Sequence, residues 1–258
     1  MIKTTLARLQ QKHRTTRYPD GPPPSLPDRY RGRPVIAAGA CPEGCRQCAD
    51  ECPTGAITLE GSVGLDLGKC LFCARCEAVC PAQAIRFGRD HQLAASRRED
   101  LVLGPEGARL AVELSDRLRR LLGRSLKLRV VSAGGCNACE ADTNVLSTVG
   151  WDLGRFGIQF VASPRHADGL LITGPVTAAM RPALRKTWEA VPEPKIVIAV
   201  GACAISGGPF LGHAEQHDGA ASTVPVDLHI PGCPPHPLTI LDGLLRLLGR
   251  IPEPEAGG

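Results

Sequence analysis

The run Cys41-Pro42-Glu43-Gly44-Cys45-Arg46-Gln47-Cys48-Ala49-Asp50-Glu51-Cys52-Pro53 is answered downstream by Cys70-Leu71-Phe72-Cys73-Ala74-Arg75-Cys76-Glu77-Ala78-Val79-Cys80-Pro81. Each run ends in Cys-Pro and leads into a short apolar stretch, Ala56-Ile57-Thr58-Leu59 in the first and Ala84-Ile85-Arg86-Phe87 in the second. This internal repeat says more than either motif alone, because self-similar segments mark a repeated structural unit.

Three cysteines at short gaps, a fourth three residues on and then proline form the two-cluster ferredoxin arrangement, in which the fourth cysteine of each run serves the other cluster. Sulfurs so spaced wrap three iron corners of one [4Fe–4S] cubane. The spacing therefore assigns Cys41, Cys45, Cys48 and Cys80 to one cluster, and Cys52, Cys70, Cys73 and Cys76 to another. One departure is visible, since three residues rather than two separate Cys41 from Cys45. The extra residue lengthens a loop that holds Gly44, and all eight thiols remain, so both sites are expected to assemble. Zinc is the competing reading. Structural zinc sites set one close cysteine pair against a distant second pair, which a repeated four-cysteine run fits poorly.

The chain has 258 residues and twelve cysteines. Disulfides would require export, and the first twenty residues show neither the apolar core of a signal peptide nor a twin-arginine pattern. Reduced thiols in the cytoplasm are thus the expectation, and clustered reduced thiols bind metal. The four later cysteines lie in Gly134-Gly135-Cys136-Asn137-Ala138-Cys139-Glu140, Gly201-Ala202-Cys203 and Gly232-Cys233-Pro234-Pro235. Alone, this set is open to zinc or to buried thiols. Taken with the first eight, it divides twelve cysteines into three four-ligand sites with none left over, and three [4Fe–4S] clusters are expected. Glycine in each of these stretches lets backbone approach the sulfurs and donate N–H groups to them.

Residues 126–131, 158–162, 169–173, 196–200 and 226–230 are apolar runs of strand length, and 181–191 and 238–248 have helical character. That alternation predicts a parallel, flavodoxin-like α/β sheet whose ligands bind beyond the carboxyl ends of the strands. The later cysteines fall in such loops. The expected organisation is a basic helix and Pro-rich arm over 1–34, an α+β ferredoxin-like domain over 35–95, a bridge over 96–125 with a helix at 105–122, and the α/β domain over 126–258.

The net charge of +4 suits solubility, or docking on an acidic protein or an anionic membrane, and is far too weak to argue for nucleic acid. Residues 2–17 read as a basic amphipathic helix, with Ile2, Leu6 and Leu9 on one face and Lys3, Arg8, Lys12, Arg14 and Arg17 around the rest. Such a helix either packs on its own domain or lies on a partner or a membrane surface. The apolar runs are too short to span a bilayer.

The part from Tyr18-Pro19 through both cysteine runs resembles the two-cluster ferredoxin subunit of formate hydrogenlyase and of respiratory complex I. The later cysteine stretches, together with Ser163-Pro164-Arg165-His166-Ala167-Asp168 and the extension of Cys203 through Gly207-Gly208, resemble the small subunit of group 4 membrane-bound [NiFe]-hydrogenases of formate hydrogenlyase type. Two subunits that are usually separate would then be fused. The resemblance implies an electron relay whose last cluster adjoins a large subunit carrying a Ni–Fe centre. Membrane-arm subunits and a donor subunit or soluble ferredoxin would be the other partners. The location implied is peripheral, on the cytoplasmic face of the cell membrane, and no catalytic residue falls on this chain. Cys136-x-x-Cys139 has the hydrogenase spacing, where the complex I counterpart carries adjacent cysteines. The alternative is the equivalent relay of a quinone-linked oxidoreductase without the Ni–Fe centre. A soluble carrier acting alone and a zinc scaffold are the remaining readings.

Five further residues are candidates around the last cluster. After Glu140 the chain departs from the family it resembles, which carries a second acid two residues on among apolar neighbours, whereas here Asp142 is followed by Thr143 and Asn144. Glu140 or Asp142 would relay protons, shape the interface with the large subunit, or simply suit the start of a helix. Arg165 and His166 follow a strand and are expected to line the cleft beside the cluster, and His236 to hydrogen-bond one of its sulfurs. His213 and His217 have helical metal spacing, but Gly212 and Gly219 flank them and a surface loop is expected.

Overall fold

The computed structural model describes residues 2–12, 14–37, 39–59, 62–104, 110–111, 114–122 and 124–251. After helix α1 (Ile2–Gln11) and an extended arm, the cysteine-rich half follows as β1 (Pro34–Ile36), α2 (Gln47–Asp50), β2 (Ile57–Thr58), β3 (Gly64–Asp66), α3 (Arg75–Val79) and β4 (Ile85–Phe87). The strand that precedes each cysteine run pairs antiparallel with the strand that follows the other run: β1 with β4, and β3 with β2. The two runs are thereby folded against one another.

Strand β5 (Val102–Leu103) joins β3 as a third antiparallel strand, so the chain stays with this half through Leu103. The helix expected at 105–122 falls partly on residues outside those described, and the described part is helical only in α4 (Asp116–Leu122). Just upstream of it, Ala111 N–H bonds to the Ala94 carbonyl and Leu114 N–H to the Leu247 carbonyl. Those backbone donors are satisfied across the fold instead of within a helix.

The remaining elements are β6 (Leu126–Ser132), α5 (Ala138–Val145), β7 (Ile158–Phe160), β8 (Gly169–Thr173), α6 (Arg181–Ala190), β9 (Ile196–Val200), α7 (Ala202–Ser206), β10 (Leu228–Ile230) and α8 (Pro237–Leu247). The strands form one parallel sheet in the order β10-β9-β8-β6-β7, the doubly wound flavodoxin-type order. Strands β8 and β9 are buried along their whole length, as apolar runs covered on both faces require. The edge strands are shorter than expected, β7 stopping at Phe160 and β10 starting at Leu228, because each has a pairing partner on one side only.

Successive side chains point to opposite faces of a strand. Leu171, Ile196, Ile198 and Val200 therefore pack with the α8 leucines, while Leu170, Ile172, Val197 and Ala199 pack with residues of the cysteine-rich half such as Leu65, Leu67 and Leu101. The two halves share that second core. Polar contacts follow the same seam: Ser206 Oγ donates to the Gly68 carbonyl at 2.8 Å, and Ala95 bridges His229.

Every residue of α8 is buried, including Asp242 and Arg246. Arg246 Nε donates to Asp242 Oδ2 at 2.9 Å, and the Tyr18 hydroxyl, from the arm, donates to Asp242 Oδ1 at 2.5 Å. His91 Nε2 lies 3.3 Å from the same hydroxyl. Further along, Tyr30 Oη is 3.4 Å from Thr239 Oγ1, and Arg33 pairs with Asp90. The Pro-rich segment is thus a strap laid over α8 and fastened to both halves.

Candidate iron–sulfur sites

In the first half the backbone repeats as the sequence does. Ala56 N–H donates to Cys52 Sγ and Ala84 N–H to Cys80 Sγ, both at 3.2 Å. Each Cys-Pro turn closes through a left-handed residue, Gly55 at φ +57° and Gln83 at φ +50°, whose N–H bonds back to the cysteine carbonyl. Between the ligands of the second run, Phe72 (φ +53°) and Ala74 (φ +60°) are also left-handed, and Phe72 N–H donates to Cys70 Sγ at 3.3 Å. Alternating backbone hands turn N–H groups inward and make a concavity suited to negative charge.

The thiols gather into three sets. Cys41 interacts electrostatically with Cys45 and Cys80, and Cys48 with Cys41 and Cys80, which brings four cysteines into site A. Cys70 feels Cys76, Cys52 and Cys73, which makes site B, and these four line a single cavity with Ile57, Leu65 and Phe87. Cys139 feels Cys203, Cys233 and Cys136, which makes site C. Two electrostatic influences cross between sets, Cys48 on Cys76 and Cys73 on Cys233. Site B thus has an electrostatic neighbour in each of the other two sets. The extra residue between Cys41 and Cys45 is taken up in a turn, where Gly44 at φ +73° has open space around it and Cys45 N–H bonds to the Pro42 carbonyl.

Site C is assembled by the sheet. Cys136 and Cys139 follow β6, Cys203 follows β9 and Cys233 follows β10, all beyond carboxyl ends of strands. Asn137 at φ +70° turns the chain into α5, and Glu140 in its first turn is buried. Glu140 Oε1 accepts from Ser132 Oγ at 2.5 Å and from Thr173 Oγ1 at 2.6 Å, so one carboxylate ties α5 to the ends of β6 and β8. Gly201, at φ +91°, is required for space, since a Cβ there would stand 2.5 Å from Cys139 Sγ.

Burial is the largest influence on these thiols. It pushes Cys70 up to about 12 and Cys76 and Cys203 up to about 11, with Cys139 raised further still, and the neighbouring cysteines add to the effect. Four thiolates packed together thus need cationic compensation, which metal binding supplies as the protons leave. Among the described residues, no group of three or more His, Cys, Asp or Glu side chains is drawn tight enough to hold a single metal ion. All-sulfur donor sets, backbone N–H groups aimed at sulfur and a cradle that only glycine fits suit an iron–sulfur cluster.

The other candidates are placed as follows. Asp142 is half-buried, which raises its pKa, and it shares an open cavity of about 220 Å³ with Cys233, His236, Phe72, Tyr30 and Arg31, where sites B and C meet. His236 Nδ1 accepts from Leu238 N–H at 3.1 Å and so caps α8, and its ring meets Tyr30 and Trp151 edge-on. With Nδ1 accepting, the neutral ring carries its proton on Nε2. Arg165 and His166 do not line the cleft. Both are exposed, in the short turn Pro164–His166, and the adjoining Asp168 bonds to Lys127 at the start of β6, whereas Cys136 lies past its end. His213 and His217 are in an irregular exposed stretch, in which His213 Nδ1 accepts from Glu215 N–H.

The strap residues Tyr18 and Tyr30 were not singled out from the sequence, nor were Asp242 and Arg246. An Asp–Arg pair four residues apart in a leucine-rich helix was the signal that an otherwise buried face carries a charge pair.

Residues 136–247 match the family described as NADH ubiquinone oxidoreductase, 20 Kd subunit, and residues 40–84 match a 4Fe-4S dicluster domain. The chain is 44% identical over 136 residues to formate hydrogenlyase subunit 7 of Escherichia coli, covering 53% of this chain and 53% of that one. It therefore spans about half of that relative's length. It is 40% identical to probable membrane-bound hydrogenase subunit mbhJ of Pyrococcus furiosus, over 52% of this chain and 80% of that one. It is 42% identical to an NADH-quinone oxidoreductase subunit of Clostridium beijerinckii, over 48% of this chain and 74% of that one. With relatives of this identity covered over most of their length, the chain belongs to the oxidoreductase family of the NADH ubiquinone oxidoreductase 20 kDa subunit, and it carries a 4Fe-4S dicluster domain ahead of the matched region.

Proposed function

We propose that this chain is the electron-transfer subunit of a membrane-associated [NiFe]-hydrogenase complex. In this reading it holds three [4Fe–4S] clusters, at Cys41, Cys45, Cys48 and Cys80, at Cys52, Cys70, Cys73 and Cys76, and at Cys136, Cys139, Cys203 and Cys233. The single observation that supports the reading best is that the twelve cysteines fall into three sets of four by mutual electrostatic influence, with Cys48 acting on Cys76 and Cys73 on Cys233 between sets. A [4Fe–4S] cluster supplies a one-electron store. The protein's part is to ligate through cysteinate and to stabilise sulfur charge with the Ala56, Phe72 and Ala84 N–H groups.

The cysteine-rich half acts in this reading as a ferredoxin-like input domain spanning residues 35–95, and residues 126–258 as the output domain. Cys136 and Cys233 are exposed at site C, which leaves that site open to a partner. The partner proposed is a large subunit carrying the Ni–Fe centre, with membrane-arm subunits and an electron donor completing the complex. Both hydrogenase subunits and an NADH-quinone oxidoreductase subunit are among the relatives, and the Cys136-x-x-Cys139 spacing favours the former. Among the described residues no helix is long and apolar enough to cross a membrane, which agrees with peripheral attachment, for which the cytoplasmic face is proposed.

Metal analysis of the complex captured anaerobically through a tag on this chain tests the proposal. Nickel near one per copy, with iron above the roughly twelve atoms that three cubanes need, is the expected result. Iron at that level without nickel would move the partner to a quinone-linked large subunit.

A further inference from the structure

Helix α1 has no buried residue, and its apolar side chains Ile2, Leu6 and Leu9 are 78%, 51% and 70% exposed. Their spacing of four and three residues places them on one face. Residues 2–17 also include Lys3, Arg8, Lys12, Arg14 and Arg17 and contain no acidic residue. The segment that follows the helix is firmly attached. Thr15 Oγ1 donates to the Val149 carbonyl and Thr16 N–H to the Gly150 carbonyl, both at 2.8 Å. Arg155 grips the carbonyls of Thr16 and Tyr18 at 2.6 and 2.7 Å. These bonds set Thr15 and Thr16 beside Val149, which is 73% exposed, and beside an open cavity of about 510 Å³ lined by Arg14, Arg17, Pro22 and Trp151 among others.

An unpartnered apolar face and five cations with no acid among them share the stretch 2–17, whose Arg14 and Arg17 line a cavity beside Trp151. A protein surface presents charges of both signs and is matched by a mixed pattern, whereas charge of a single sign matches a uniformly negative surface. We propose that α1 and Val149 seat on an anionic bilayer. Ile2, Leu6 and Leu9 enter the boundary between headgroups and acyl chains, and Arg14 and Arg17 meet lipid phosphates. The inference rests on the peripheral attachment proposed above and names the surface that makes it. It does not depend on which large subunit is bound.

The test is co-sedimentation of the intact, cluster-loaded chain, kept anaerobic, with vesicles of phosphatidylcholine alone or mixed with phosphatidylglycerol. Binding to the anionic vesicles is expected to exceed that to neutral ones by about tenfold, and to weaken as salt shortens the reach of the charges. The double variant Leu6→Glu/Leu9→Glu should lower it by about tenfold, and Arg14→Gln/Arg17→Gln by about threefold, with visible absorbance and melting temperature unchanged. No preference for anionic vesicles, or a Leu6→Glu/Leu9→Glu chain that binds as well as the wild type, overturns the inference. So does a variant that keeps vesicle binding but falls away from its isolated complex, since α1 would then cover a protein. Absence of nickel from the complex would overturn the hydrogenase reading and leave this one standing.

Discussion

In the cysteine-rich half, Cys70 and Cys73 lie in the loop leading into α3 and Cys76 in its first turn, and their spacing along the chain already brings them near each other. In the sheet half, Cys136 and Cys233 belong to loops after β6 and β10 and Cys203 to α7 after β9, and only the order of a five-stranded sheet brings them together. The first arrangement is local but interlocked, because Cys52 and Cys80 each cross to the other set. The second is long-range but self-contained. A local site depends on loop conformation, and a long-range site depends on the packing of everything beneath it.

The sharpest way to break this comparison is to remove one ligand from each half. Cys76→Ser should cost about eight iron atoms per chain, since sites A and B exchange ligands, while Cys203→Ser should cost about four and abolish electron transfer to the partner. Equal losses of about four, measured by iron analysis of the purified chain, would mean that A and B assemble independently and that the interlocking is only apparent.

A gentler comparison uses glycine. Gly201→Ala places a methyl against Cys139 Sγ in a left-handed backbone, and most of the iron at site C should be lost. Gly55→Ala is also left-handed, at φ +57°, but nothing stands within 4 Å of the new Cβ. It should keep its iron and cost about 1 kcal/mol, read from the melting transition. Loss of iron in Gly55→Ala alone would show that the local loops, not the sheet, are the fragile part.

The smallest effect expected is with pH. Burial lowers the pKa of His91, His229 and His236, all of which lie under the strap or on the seam between the halves. Unfolded histidine takes up a proton near 6.5, and these folded ones do so only at lower pH. The unfolded chain therefore binds more protons below that point, and stability present at neutral pH is lost as the pH falls through 6.5 and below. A drop in melting temperature of roughly 2–4 °C for each kcal/mol lost is expected, with a smaller drop in His91→Gln. A flat profile from pH 7.5 to pH 5.5 would mean that the seam opens without exposing these rings.

Much of the first half was legible from spacing, because ligands within a few residues of one another can reach one cluster whatever the rest of the chain does. The parallel sheet was legible too, from apolar runs such as 169–173 and 196–200 that only a strand covered on both faces tolerates. Arg165 and His166 were misplaced because the sequence does not say which end of a sheet a loop occupies, and here theirs turns back beside the start of β6.

The sequence by itself determined the identity of the twelve thiols, the repeat that pairs two runs, and the apolar periodicities of the sheet. Tertiary structure alone decided that β6, β9 and β10 end on one side and that Tyr18 and Tyr30 strap the halves over one shared core. The physical reason is reach. Side-chain chemistry and short spacings act within a turn of chain, while the convergence of distant loops follows from which strands bury which faces, and that is settled only when the whole core packs.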